Sequence, residues 1–376
     1  MKMNKKEIRE IRRRVDPEKT NIQHIYGCYV NSKKEIISKI DETVGLMEKE
    51  EQEKYVGLLK KTLSGALGKN LLDLSFTTKQ VVDSDEHRLL SALKRTELRD
   101  PLLLDEFYKC IVQSLDMGDL NYLILIAFDS YDVPKFSRTG EREESEEVFK
   151  YIICCICPVK TGKPVLHYSN EDSRFEKLSL AQIVSSPETG FMFPSFDDRS
   201  SNIYNALFYS RNTKGIHEDL INAIFKTEVP MPAKQQEETF SSVVSESLPG
   251  ECGLDVVRTL HEELSQRIEL HKESRDPEAL SVSYEEMADI LKKGGVTGEN
   301  CTSFIDNCKE KFGENGQLAP ENIISPKKFE IETENVRIKI DPSASELISA
   351  REIDGKKYIL IPADGIVSVN GIQISI

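Results

Sequence analysis

Positive charge, long apolar runs and paired cysteines are all in short supply in this 376-residue chain, and each shortage closes off a class of function. Fifty Lys and Arg stand against 64 Asp and Glu, a formal net charge of −14. General nucleic-acid binding needs the opposite balance, because phosphates are neutralised by a surplus of cations. No apolar run is long enough to span a bilayer. The N-terminus lacks the apolar stretch and the small-residue cleavage site of a secretory signal. Eight cysteines in a chain of this length make no disulfide framework, and the one cluster, Cys154, Cys155 and Cys157, has no second pair to complete a zinc site. Free cysteine packs as a small hydrophobe, so the expectation is buried thiols in a reducing cytoplasm.

Intact catalytic motifs are missing as well. Ser64 to Asn70 (SGALGKN) superficially follows a phosphate loop, but Leu63 stands where the first Gly belongs and Asn70 where Ser or Thr would reach Mg2+. It also follows a helical pattern and not a strand. His217-Glu218 and His261-Glu262 each open like H-E-x-x-H, yet Ile221 and Ser265 occupy the second histidine position, so an i, i+4 zinc pair cannot form. There is no G-x-S-x-G elbow and no G-x-G-x-x-G fingerprint.

What the chain does have is two short apolar runs near its centre, Tyr122 to Phe128 (YLILIAF) and Tyr151 to Val159 (YIICCICPV). Strands covered on both faces read as continuous apolar runs, whereas half-exposed ones alternate. Both runs are expected to be core strands stopped by proline turns at Asp132-Val133-Pro134 and Cys157-Pro158. In such strands Cys155 and Cys157 face one side and Cys154 the other.

Around these runs the pattern predicts an α+β fold with a mixed central sheet. Residues 1–14 hold seven cations against two acids, a surplus of five, with Ile8, Ile11 and Val15 at helical spacing. This is a basic amphipathic helix. Strands are expected over 21–30, 34–44, 71–77, 165–168 and 203–209. Helices are expected over 48–67, 85–94, 101–115, 180–185 and 216–225, and a polar surface stretch over 137–147. The first region is therefore 1–227. Residues 228–250, with Pro230, Pro232 and Pro249 among Gln, Glu and Ser, read as a linker. Region 251–376 begins with helices, one of them started by the capping box at Ser283 to Glu286 and stopped at Gly294-Gly295. It ends in a period-two pattern in which Asp354-Gly355 and Asn370-Gly371 signal hairpins, read as a small antiparallel sheet.

Candidate chemistry is confined to acidic residues at strand ends: Asp129 and Asp132 after the first core strand, Asp197 and Asp198 after the aromatic run 191–196. In an open α/β sheet ligands bind beyond the carboxyl ends of strands. Converging carboxylates there would hold Mg2+ or Mn2+, with Arg199 facing an anionic substrate and His167 as base. The same residues are equally ordinary turn and cap formers. No resident metal or other cofactor is expected.

Four runs carry a resemblance: KTLSGALGKNLLDLSF (61–76), NYLILIAFDSYDVP (121–134), FMFPSFDDRSSNIYNALFYSRN (191–212) and DGKKYILIPADGIVSVNG (354–371). They are similar to those of an uncharacterised bacterial family, one of the domains of unknown function found mainly in Gram-positive anaerobes. The resemblance implies a bacterial cytosolic protein and transfers no catalytic residue. Two function classes follow. One is a non-enzymatic interaction or regulatory protein that meets another protein through the basic helix or the C-terminal β region, with nucleic acid an unlikely partner. The other is a metal-dependent hydrolase or phosphodiesterase using the acidic strand ends.

Overall fold

The computed structural model describes residues 3–136, 142–143, 148–162, 165–169, 172–178, 182–314, 316–363, 365, 367–369 and 372–374. Contacts divide the chain into two compact units, Met1–Pro232 and Ala233–Ile376.

The first unit runs α1 (Lys5–Arg14), β1 (His24–Val30), β2 (Ile36–Thr43), α2 (Lys49–Lys61), β3 (Leu71–Ser75), α3 (Thr78–Asp83), α4 (Asp85–Arg95), α5 (Pro101–Ser114) and β4 (Asn121–Asp132). It continues with β5 (Lys135–Phe136), β6 (Arg142–Glu143), β7 (Val148–Thr161), β8 (Val165–Ser169), β9 (Arg174–Leu178), β10 (Gln182–Val184) and β11 (Thr189–Phe193). β12 (Ser195–Asp197), β13 (Ser200–Asn202), β14 (Asn205–Ser210) and α6 (Glu218–Ile224) complete it.

The two apolar runs form the centre of an eight-stranded sheet ordered β2-β1-β4-β7-β11-β14-β3, with β10 also on β7. Their alternation feeds two cores. Ile124, Ile126, Ile152, Cys154 and Ile156 face a layer built from α4, α5 and α6. Leu123, Leu125, Ala127, Ile153, Cys155 and Cys157 face α1 and α2. The α+β class is as expected, but every described strand pair of this sheet is antiparallel and not mixed. An antiparallel sheet covered by helices on both faces buries its strands as completely as a parallel one, so the continuous apolar runs do not discriminate. The consequence matters for function: in this topology neighbouring strands end at opposite edges, and the rule that places ligands beyond strand carboxyl ends no longer applies.

Two local expectations change. Pro158 does not end β7, which runs on to Thr161 with Pro158 opposite Tyr122. The Pro158 carbonyl accepts the Ser185 N–H. Its missing donor therefore lies on the side of short β10, where the ladder loses little. The helix expected at 180–185 is instead β10, since Ile183 and Val184 pair with Lys160 and Val159; residues 179–181 lie outside the described residues. The surface stretch expected at 137–147 also lies outside them, apart from the backbone at 142–143.

The second unit runs α7 (Ala233–Ser247), α8 (Leu254–Ser274), α9 (Tyr284–Lys293), α10 (Gly298–Phe312), α11 (Pro320–Ile323), β15 (Phe329–Glu332), β16 (Arg337–Ile340), β17 (Ser349–Ile353), β18 (Lys356–Leu360), β19 (Val367–Val369) and β20 (Ile372–Ile374). The expected linker thus contains α7. Phe240, Val243, Val244 and Leu248 recur at helical spacing and enter the core of this unit with Leu264, Met287, Leu291 and Phe304. Three prolines and a polar composition masked that stripe. The loops after α8 and α10 meet through reciprocal Val282 and Leu318 backbone hydrogen bonds of 2.9 Å, giving two helix–loop–helix halves joined at their loops. The Ser283 capping box is present. Among the described residues the expected terminal sheet is three separate hairpins, β15–β16, β17–β18 and β19–β20. Asp354 and Gly355, both at positive φ (50° and 73°), make the β17–β18 turn. Ile359, Ile372 and Ile374 stay exposed, so among the described residues these hairpins have no shared buried face that would draw them into one sheet. Asn370 and Gly371 lie outside the described residues.

Candidate functional site

Asp129 is fully buried three residues before the end of β4. Its Oδ1 accepts the backbone N–H groups of Asn21 (2.9 Å) and Ser130 (2.8 Å), and its Oδ2 accepts the hydroxyls of Thr20 (2.7 Å) and Tyr151 (2.8 Å). Burial pushes the carboxyl above its ordinary pKa, against the pull of these four hydrogen bonds. Tyr151, wholly buried, is pushed well up by burial and then by the Asp129 charge. The carboxylate therefore clamps the segment before β1 onto β4 and β7, with both oxygens occupied. Asp132, the last residue of β4, is exposed.

Asp198 and Arg199 form the two-residue turn between β12 and β13, both left-handed at φ 48° and 58°. This backbone matches the twist of a tight hairpin; Asp tolerates it and Arg does so at a cost. Asp197 is buried and accepts Nδ2 of Asn202 at 3.0 Å. His167 lies opposite Glu176 in the β8–β9 hairpin, and its side chain falls outside the described residues. Among the described residues no group of three His, Cys, Asp or Glu side chains is placed to hold a metal ion.

What the turn does is seat α1. Asn4 caps the helix, and Glu7 closes the capping box by taking the Asn4 N–H at 2.9 Å. Glu7 is buried, and its other oxygen accepts the Arg199 N–H at 3.4 Å. Burial raises its pKa, the backbone bonds from Asn4 and Arg199 pull it down, and the Asp197 charge raises it again. One turn on, Glu10 accepts the Tyr131 hydroxyl at 2.6 Å and pairs with the Arg199 guanidinium at 2.9 Å. Burial, then the bond to Glu10, pushes the Tyr131 phenol up to about 12. Arg199 also donates to the Pro134 carbonyl at 2.9 Å. Ile8, Ile11 and Val15 enter the core beneath.

With both acids of α1 turned inward, its cations are left outward. Lys6, Arg9, Arg13, Arg14, Lys19 and Arg199 surround an open cavity of about 580 Å3 whose sole acid among the described residues is Glu10, with Tyr131 and Pro134 in its wall. Lys6, Arg9 and Arg13 are exposed and form no ion pair among the described residues. The Arg14 guanidinium lies 5.9 Å over the Tyr131 ring. Of the residues expected from the sequence, Arg199 joins this site, Asp197 and Asp198 shape the turn that holds it, and Asp129 secures the sheet nearby. Composition alone presents Glu7 and Glu10 as the two acids of a basic helix; the Asn4-x-x-Glu7 spacing is the signal that marks Glu7 as a cap.

No helix among the described residues is long and apolar enough to cross a membrane. No curated protein matches the chain. The family model described as "Domain of unknown function (DUF4317)" matches residues 3–372. The chain belongs to that family, which is uncharacterised.

Proposed function

We propose that the chain is a non-enzymatic interaction protein of the cytoplasm whose basic α1 face captures an acidic segment of a protein partner. The observation that carries this reading is the cavity bordered, among the described residues, by six cations and one acid, beside a helix locked in place by Glu7 and Glu10. Fixing the helix removes an ordering cost that a free basic arm would incur on binding. Arginine supplies four of the six cations, and its planar fork matches carboxylates bidentately. A ten-residue helix is about 15 Å long, a length suited to a short acidic segment. A longer polyanion would run onto a chain whose net charge is −14. Eight free cysteines fit a reducing compartment. Against the hydrolase alternative, Asp129 spends both oxygens on structural hydrogen bonds and Asp198 is committed to a turn.

The test is fluorescence anisotropy with a labelled twelve-residue poly-Glu peptide. Wild type is expected to bind it with an affinity that falls as salt rises, and Arg9→Glu/Arg13→Glu is expected to lose binding at unchanged melting temperature, since both side chains are exposed. Absence of binding by wild type, or equal binding by the double variant, overturns the proposal.

A further inference from the structure

A second cavity, independent of α1, lies on the opposite face of the sheet. Its volume is also about 580 Å3. The strands β1, β4 and β7 form the floor, presenting His24, Tyr26, Phe128, Ser130 and Lys150. These residues continue the rows that supply Cys28, Ile126 and Ile152 to the core, so the floor is the same sheet face beyond its helical cover. One wall is Thr20 and Asn21, the segment that Asp129 clamps from the other face. The other is the connection after α4, where Glu97 and Leu98 are successive left-handed residues at φ 54° and 63°. Two adjacent non-glycine residues in that region are costly. Leu98 is fully buried and its N–H bonds the Leu93 carbonyl at 3.0 Å; this anchor holds Glu97 and Arg99 at the rim.

The cavity has two chemically distinct parts. On β1 and β4 the floor is aromatic: Tyr26 and Phe128, with the His24 and Tyr26 rings stacked at 5.9 Å. On β7 stands Lys150, directly across from Ser130. Among the described residues Lys150 and Arg99 share a single counter-ion, Glu97, at 3.6 and 3.1 Å. Lys94, half-buried, adds a further positive charge close to Lys150, and its ammonium is driven below its ordinary pKa first by burial and then by that neighbour. Cations thus outnumber the acid beside an open cavity. Tyr26 pairs with Ile126 and Lys150 with Ser130, so Tyr26 stands two strand spacings and four residues from Lys150, about 16 Å, whereas Phe128 is the diagonal cross-strand neighbour of Lys150, about 8 Å away. The shorter separation suits a planar ring joined to an anionic group through a small linker.

We infer that this shelf binds a small molecule of the nucleoside-monophosphate class, with its ring over Phe128, on the side of Tyr26, and its phosphate between Arg99 and Lys150. Stacking on the partly buried aromatic faces tolerates any base, whereas the two cations require the anion. Glu97 occupies the phosphate's place in the free protein and competes with it.

Isothermal titration with AMP, GMP, adenosine and inorganic phosphate tests the assignment. The expected result is saturable binding of a monophosphate, with adenosine and phosphate each at least tenfold weaker. Lys150→Gln and Arg99→Gln should each weaken monophosphate binding at least tenfold, because each removes a charge-assisted hydrogen bond. Glu97→Gln should tighten it severalfold by removing the competing anion; a merely structural Glu97 would not produce a gain. All three side chains reach solvent, and unchanged melting temperatures verify folding. Failure of both monophosphates to bind overturns the inference, as does phosphate binding as tightly as AMP or unchanged binding in both Gln variants. None of these outcomes bears on the poly-Glu test, which reads the other face of the sheet.

Discussion

Asp129 separates a structural clamp from a metal ligand by the way two substitutions should differ. In Asp129→Asn the carbonyl oxygen can keep the two backbone N–H bonds now made by Oδ1. The amide nitrogen then faces the Thr20 and Tyr151 hydroxyls, and a hydroxyl accepts as readily as it donates. All four contacts survive, two with their direction reversed, and the buried charge is gone, so the expected cost is at most about 1–2 kcal/mol. Asp129→Ala offers no such exchange. The Tyr151 hydroxyl is left in a dry site and the Asn21 and Ser130 N–H groups lose their acceptor, each orphan costing about 1–3 kcal/mol when water cannot replace it. Thr20 and Asn21 reach solvent, which brings the expected total to about 3–5 kcal/mol. At about 2–4 °C per kcal/mol for a unit of this size, scanning calorimetry resolves the two variants easily. The pH dependence supplies a second check. The folded carboxyl is raised above its unfolded value, so its contribution is fully present below the unfolded pKa and is lost as pH rises through the folded pKa. Asn removes that loss, and its deficit relative to wild type should therefore be larger near pH 3 than at pH 7. Mn2+, Mg2+ and Ca2+ should leave the wild-type transition in place. An Asn variant as damaged as the Ala variant refutes the hydrogen-bond argument. A melting increase with Mn2+ that Asp129→Asn abolishes refutes the clamp altogether and restores the hydrolase reading.

Other expectations are simpler to check. A Cβ at Gly190 would run into the Cys154 carbonyl and sit 2.6 Å from the Thr62 methyl, whereas one at Gly45 meets nothing within 4 Å; chemical denaturation should show Gly190→Ala losing about 1–3 kcal/mol, the usual cost of overpacking, and Gly45→Ala almost none. Native thiol titration should find exposed Cys252 reacting first and Cys154 and Cys155 last, because burial drives the latter pair's pKa values well up and the thiolate is the reactive form; rapid labelling of Cys155 in the folded protein would contradict their place in the core. Each unit has its own buried core, so residues 1–232 and 233–376 expressed separately should each unfold cooperatively; a non-cooperative trace for either would show that its core is insufficient.

Legibility in the sequence followed the range of the interaction. Elements fixed by local signals were readable: the Ser283 capping box, the Asp354-Gly355 turn, and the alternation that sends Cys154 to one core and Cys155 to the other. Strand direction was not, because an unbroken apolar run records only that both faces are covered. α7 was obscured by prolines just ahead of a genuine apolar stripe. At the basic site, the surplus charge of α1 was visible, but its presentation depends on Glu7 and Glu10 meeting Arg199, nearly two hundred residues away. The shelf was invisible for the same reason. Lys150, Arg99 and Phe128 come together through sheet register and a strained connection, and no spacing in the chain records either.

The central claim, that the α1 face recognises acidic protein, is tested most directly by competition. Labelled twelve-residue poly-Glu, bound to the full chain at about 0.15 M salt where exposed charges beyond about 8 Å are screened, is challenged with unlabelled poly-Glu and with a twelve-nucleotide oligouridine. The account predicts displacement by the peptide at lower concentration than by the RNA, with both effects lost in Arg9→Glu/Arg13→Glu. Displacement by the RNA at the lower concentration would contradict it and assign the basic face to nucleic acid.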